Sequence, residues 1–178
     1  MNNTLDEIIK QNSDPKLLRA EILKNFEENI SAIKNESIFL VKDVPSTKAC
    51  MNMFFALLEN INQNFHNIYN QITTVDENVK GLAKHLKDLY TNFENNINNL
   101  NKSYFQADLY FSVIKDKTQN EHVNIISNHL QNTVECYRTL LNSYLKEGKQ
   151  LNKEDFEKEM FGNKNISFLE NTDKIIVK

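Results

Sequence analysis

From Phe54 onward the apolar side chains recur in alternating steps of four and three: Phe54, Leu58, Ile61, Phe65, Ile68, Ile72, Val75, Val79, Leu82, Leu86, Leu89 and Phe93. That is a heptad repeat, and chance rarely keeps its register over more than five repeats. As one straight helix it predicts a rod of about 60 Å at a rise of ~1.5 Å per residue. Between Phe93 and Ile97 two steps of four fall together, a stutter that locally unwinds a supercoil. The seam resumes through Leu100, Tyr104, Ala107, Phe111 and Ile114. One place competes with continuity. Thr74 and Glu77 match a capping box and Gly81 follows, so a helix could stop and restart there as a hairpin. The undisturbed register of Val75, Val79 and Leu82 favours the continuous helix.

Shorter elements flank this seam. Thr4 with Glu7 predicts a short helix through about Gln11. Asp14 followed by Pro15 predicts a second start, with an N-cap acceptor and proline at the first helical position. Leu18, Ile22, Phe26, Ile30 and Ile33 then recur at helical spacing, and this helix is expected to end near Asn35. The run Ser37-Ile38-Phe39-Leu40-Val41 reads as a buried connector, with a short strand as the alternative. Past Thr118 a further helix carries Val123, Ile126, Leu130, Val134, Tyr137, Leu141 and Tyr144, with Gly148 as a stop. Asn152 is placed to cap a short helix, Lys153 to Phe161, closed by Gly162. The expected fold is all-α: an elongated helical bundle or coiled coil with a long central helix and short flanking helices. Three segments follow: N-terminal helices and connector at 1–44, long coiled-coil helices at 45–162, and a tail at 163–178. That tail could dock back, pair as an edge strand or order on a partner.

The seam also constrains what it packs against. A parallel dimer favours β-branched residues at one core layer and leucine at the other. Here both layers mix β-branched residues, Leu and Phe. Phe55, Tyr69 and Tyr90 flank the seam and widen its apolar face. Such breadth suits three or four helices better than two, supplied by this chain's own ends or by other chains. The opposite flank holds Leu57, Asn64, Gln71, Asn78, His85 and Asn92, so charged pairs that would select a partner are missing. The twelve seam residues from Phe54 to Phe93 are therefore the expected partner-binding surface.

Composition supports long helices. Glycine occurs three times and proline twice, and turns and sheets draw on both. Asparagine supplies roughly one residue in six, well above ordinary usage. Net charge is −3 and the only arginines are Arg19 and Arg138, which argues against a nucleic-acid binder. No stretch reaches the length of a membrane span, and the start lacks the basic and apolar regions of a signal peptide. Cys50 and Cys136 lie far apart without metal-ligand spacing. An intracellular, cytoplasmic protein is the default expectation.

Candidate chemistry is sparse. Among His66, His85, His122 and His129 no Glu-x-x-His or His-Glu-x-x-His spacing occurs, so no metal and no cofactor is expected. His122 and His129 share one helical face two turns apart, too far to chelate one ion together. Cys136 would need a base partner and a lowered pKa to act as a nucleophile. The glycines stand alone and build no phosphate-cradling loop. Lys80, Lys84 and Lys87 line one helical face, either solvated beside Asp76, Glu77 and Asp88 or touching an anionic membrane surface. Ile175-Ile176-Val177 could dock by strand addition or pack locally. The expectation is a non-enzymatic scaffold or adaptor subunit, an oligomer or complex member that packs against protein helices. The alternatives are a membrane-surface module for tethering or curvature, and a small helical inhibitor or effector occupying another protein's groove.

Overall fold

The computed structural model describes residues 5, 14–77, 86–145 and 148–162, of which the side chains of 15, 75–77 and 86–90 are left aside. All regular elements among the described residues are helical: α1 Pro15–Asp43, α2 Lys48–Glu77, α3 Leu86–Lys117, α4 Glu121–Asn142 and α5 Lys153–Phe161. Apart from Leu5, the expected N-terminal helix to Gln11 falls outside the described residues, as does the tail from 163.

Three helix starts have a visible local cause. Asp14 accepts from the Lys16 backbone N–H at 2.9 Å, and Pro15 opens α1 with its φ already helical. Asn120 accepts from His122 N–H at 2.8 Å to begin α4, and Asn152 accepts from Asp155 N–H at 2.8 Å to begin α5. Gly162 caps α5, as its position suggests. Helix α4 itself stops at Asn142, and Gly148 holds a φ of 90° in the segment beyond.

Helix α1 does not end near Asn35. It runs on to Asp43, and Ser37 to Val41 is helical rather than a connector or strand. Ile33, Ser37 and Leu40 keep the buried stripe in phase, while Ile38 and Phe39 point outward. The Ser37 hydroxyl is satisfied by donating to the Ile33 carbonyl at 2.6 Å. Only after Val44 does the chain turn, through a single turn of 3-10 helix, Pro45–Thr47.

The single rod expected from Phe54 to Ile114 is instead a helical hairpin. Helix α2 packs antiparallel on α3: Phe54 meets Phe111 with ring centroids 5.3 Å apart, and Asn67 meets Asn96 at 3.4 Å. Residues 78–85, between the two helices, lie outside the described residues. Thr74 is no N-cap, because its hydroxyl donates to the Asn70 carbonyl at 2.8 Å inside α2.

Helix α1 lies antiparallel to both α2 and α4, as Phe26–Phe65 and Asn29–His129 show. Tyr104 and Thr133 tie α3 to α4, also antiparallel. The four long helices therefore alternate in direction around one core, and their backbones approach most closely in the pairs α2/α3 and α1/α4. Phe26 and Phe65 stack at 3.7 Å in the middle of that core. Phe55 and Tyr69, beside the seam, pack against it too. The broad apolar face is thus covered by four helices of one chain. Short α5 lies across the outside of α3 and α4.

Candidate functional site

The described seam residues are inside. Phe54, Leu58, Ile61, Phe65, Ile68 and Ile72 of α2 and Phe93 of α3 are all buried in the core of this one chain. Val75, Leu86 and Leu89 lie in helices whose side chains are not described there, and Val79 and Leu82 lie outside the described residues. The exposed features of the described residues lie off this stripe.

Four features remain. The first is the α1/α4 interface, where the heteroatoms concentrate. The His122 ring is held on both nitrogens: Nδ1 faces Glu36 at 2.5 Å and Nε2 faces Asp43 at 3.2 Å. The hydrogen bond to Glu36 leads in raising the His122 pKa against partial desolvation, with Asp43 adding to it. Phe39 stacks over the same ring at 5.8 Å. Two turns on, Asn29 Oδ1 receives His129 Nδ1 at 2.8 Å and Asn132 Nδ2 at 3.3 Å. One turn further, the Cys136 thiol donates to Asn25 Oδ1 at 3.1 Å. Burial pushes that thiol up to about 12, so it stays protonated and serves as a donor. Histidines seven residues apart thus face one neighbouring helix, each with its own partner there. No group of three metal-ligating side chains converges among the described residues.

A second feature is a groove of about 320 Å³ on the α2/α3 hairpin, lined wholly by carboxamides: Asn67, Asn70, Gln71, Asn92, Asn95 and Asn96. Asn96 bridges it, accepting from Asn67 and donating to Gln71 at 3.2 Å. Such a surface offers donors and acceptors without charge.

The third is apolar exposure. Of the exposed large apolar residues among those described, Leu17 stands at one end of the bundle, and Ile38, Phe39, Met53, Leu109 and Val113 all stand at the other. Met53 directly precedes Phe54 on α2, and Leu109 and Val113 stand two residues either side of Phe111 on α3, where Phe54 and Phe111 meet. Ile38 and Phe39 flank the same end from α1.

The fourth is the seam between α3 and α4 under α5. Phe156 and Met160 of α5 are buried there. Phe156 meets Tyr137 edge-on at 5.2 Å, and Phe161 meets Tyr104 at 6.4 Å. Tyr104 donates to Thr133 Oγ1 at 2.8 Å, and burial raises its pKa far above the usual phenol range. The segment before α5 is pinned to α4. Leu151 N–H donates to Asn142 Oδ1 at 2.8 Å, and the Leu151 carbonyl accepts from Arg138 Nη1 at 2.8 Å. Arg138 is itself oriented by Glu135, Nη2 to Oε2 at 2.8 Å.

The sequence pattern does not mark Ile38, Phe39, Met53, Leu109 or Val113 as surface residues. Apolar periodicity marks a core face, and positions off that face carry no signal of their own. Of the three lysines considered for a membrane face, Lys80 and Lys84 lie outside the described residues and the Lys87 side chain is not described. No helix among the described residues is long and apolar enough to cross a membrane. Comparison with protein-family models, curated proteins and solved structures finds no match to this chain.

Proposed function

We propose that this chain is a helical scaffold or adaptor subunit that works by packing against other proteins rather than by catalysis. One observation carries the reading: the gathering of Ile38, Phe39, Met53, Leu109 and Val113 at a single end of the bundle. Leu17 is the one other large apolar side chain exposed among the described residues. Scattered exposed apolar residues need no explanation, whereas clustering at one end is the pattern of a contact surface. The heptad spacing of α2 and α3 supports coiled-coil-like packing, now between two helices of the same chain. Among the described residues, this end of the bundle holds most of the exposed large apolar side chains.

The test compares the full chain with Met53→Lys/Leu109→Lys/Val113→Lys, whose side chains already face solvent. Both are expected to give the same helical circular dichroism. The variant is expected to lose the partners that the wild-type chain retains in pull-downs from its native cells. Equal recovery of the same partners by a folded variant would remove the reading. Co-sedimentation with anionic vesicles, abolished by the same variant, would move it to the membrane-surface class.

A further inference from the structure

The His122 ring stands between two carboxylates of one neighbouring helix. Glu36 and Asp43 are seven residues apart on α1, two turns along one face. Opposite edges of the ring meet them, Nδ1 at Glu36 and Nε2 at Asp43, at 2.5 and 3.2 Å. The three groups therefore form a line with the imidazole in the middle, and they make no metal-binding cluster. A neutral imidazole carries one N–H, so only the imidazolium donates through both nitrogens. The double contact selects the charged form.

The charges that act on the ring come from α1, Glu36 first and Asp43 after it. Partial desolvation opposes them, and so does the N-terminus of α4, where His122 is the second residue. Glu121 precedes it on α4, and α3 closes with Lys115, Asp116 and Lys117 ahead of the turn into α4. The two carboxylates prevail, and the ring holds its proton above the ordinary histidine range. They are not equally placed. The Glu36 side chain is 24% exposed and the Asp43 side chain 51%. When the proton leaves, the closer and drier Glu36 keeps the remaining N–H. Asp43 then faces a lone pair and turns to water.

This clasp brackets part of the apolar end of the bundle. Ile38 and Phe39 lie between Glu36 and Asp43 in sequence, both exposed, and Asp43 is the last residue of α1. Phe39 also stacks on the His122 ring, 5.8 Å between centroids and 19° between planes. A cation this close to an aromatic face attracts it, and a neutral ring does so less. We propose that His122 is a proton-operated clasp on the bundle-end surface: its charged form ties Glu36 to Asp43 and holds Ile38 and Phe39 in the docking arrangement, and loss of the proton releases Asp43 and loosens that arrangement. A surface already held in its bound form docks at lower entropic cost, so docking weakens as pH rises through the folded-state titration of His122. The proposal rests on the adaptor reading above and adds regulation to that surface.

The test is an NMR titration of the full chain from pH 6 to pH 9, with no partner present. The His122 imidazole signals are expected to give a midpoint above 6.5. The Ile38 methyl and Phe39 ring signals are expected to shift with that same midpoint, while Leu17 at the far end stays still. His122→Gln is expected to abolish the shift at Ile38 and Phe39. Asp43→Asn, at a half-exposed position that tolerates the change, is expected to lower the His122 midpoint and shrink the Phe39 shift. It keeps the test decisive if His122→Gln does not fold. A His122 midpoint at or below 6.5, or Ile38 and Phe39 signals that stay flat through it, would overturn the proposal. So would a shift that persists in folded His122→Gln, or one that Leu17 shares. Such a failure leaves the bundle-end surface standing, since that surface is tested by lysines at Met53, Leu109 and Val113.

Discussion

The two closely packed helix pairs of this bundle are held by different means. Along α1/α4 directional contacts recur at successive levels, from His122 between Glu36 and Asp43, through Asn29 with His129 and Asn132, to Cys136 on Asn25. Along α2/α3 the contact is an apolar seam, and the polar links described across it are between neutral amides at Asn67, Gln71 and Asn96. Hydrogen bonds fix register because a shifted helix would leave their buried ends unpaired. Apolar layers fix register by fit and supply most of the free energy. The first pair is therefore expected to respond to pH and to single polar substitutions, and the second to respond to loss of volume.

Phe65→Ala is expected to have the largest effect. Phe65 is fully buried and stacked on Phe26 with an interplanar angle of 2°. Truncating a buried aromatic costs about 3–5 kcal/mol. Urea unfolding should show that loss as a lower midpoint with an unchanged slope. A cost below that of any polar substitution on α1/α4 would reverse the division of labour just drawn.

Asn29→Ala comes next. It removes the acceptor shared by His129 and Asn132 at a site only 7% exposed. Leaving partly buried donors unpaired costs about 1–3 kcal/mol. Chemical denaturation would measure it, and a change within error would show that α1/α4 does not depend on this contact for its stability.

The pH response should be smaller and has a definite sign. The folded-state pKa of His122 is raised above 6.5, chiefly by its hydrogen bond to Glu36. Its contribution is therefore complete below that unfolded value and is lost as pH climbs through the raised folded value. Tm of the wild-type chain relative to His122→Gln should fall from pH 6 to pH 9. A difference that stays flat would mean that the imidazolium is not what joins Glu36 to Asp43.

How much of this could be read from the chain follows from where the signals are local. Asp14 and Asn152 announce helix starts because a cap acts within three residues, and both do so here. The reversal between α2 and α3 was hidden because Ile72 and Phe93 stand a whole number of heptads apart, so the residues between them read in phase. Thr74 added an ambiguous sign, since a hydroxyl bonding back inside a helix has the same sequence appearance as a cap. The extension of α1 was masked by Ile38 and Phe39, apolar residues that are exposed and so blurred the helical period. The α5 groove was not legible. It is made by Tyr104 and Tyr137 from different helices, and only their adjacency in space turns Phe156 and Phe161 into a docking pair.

The smallest expected effect tests the comparison from its other side. Asn96 is the hub of the amide contacts on α2/α3, accepting from Asn67 at 3.4 Å and donating to Gln71 at 3.2 Å. Both links are long, and Asn96 borders the open carboxamide groove, where water replaces any bond that is lost. Alanine is also the better helix former by a few tenths of a kcal/mol. Asn96→Ala should therefore shift stability by less than about 0.5 kcal/mol in either direction, against a severalfold larger loss for Asn29→Ala. The two asparagines occupy equivalent roles, each bridging two partners across a helix pair, and differ in solvent access. Equal costs for the two would mean that solvent access does not set the value of these contacts, and the contrast between the pairs would have to rest on the apolar layers alone.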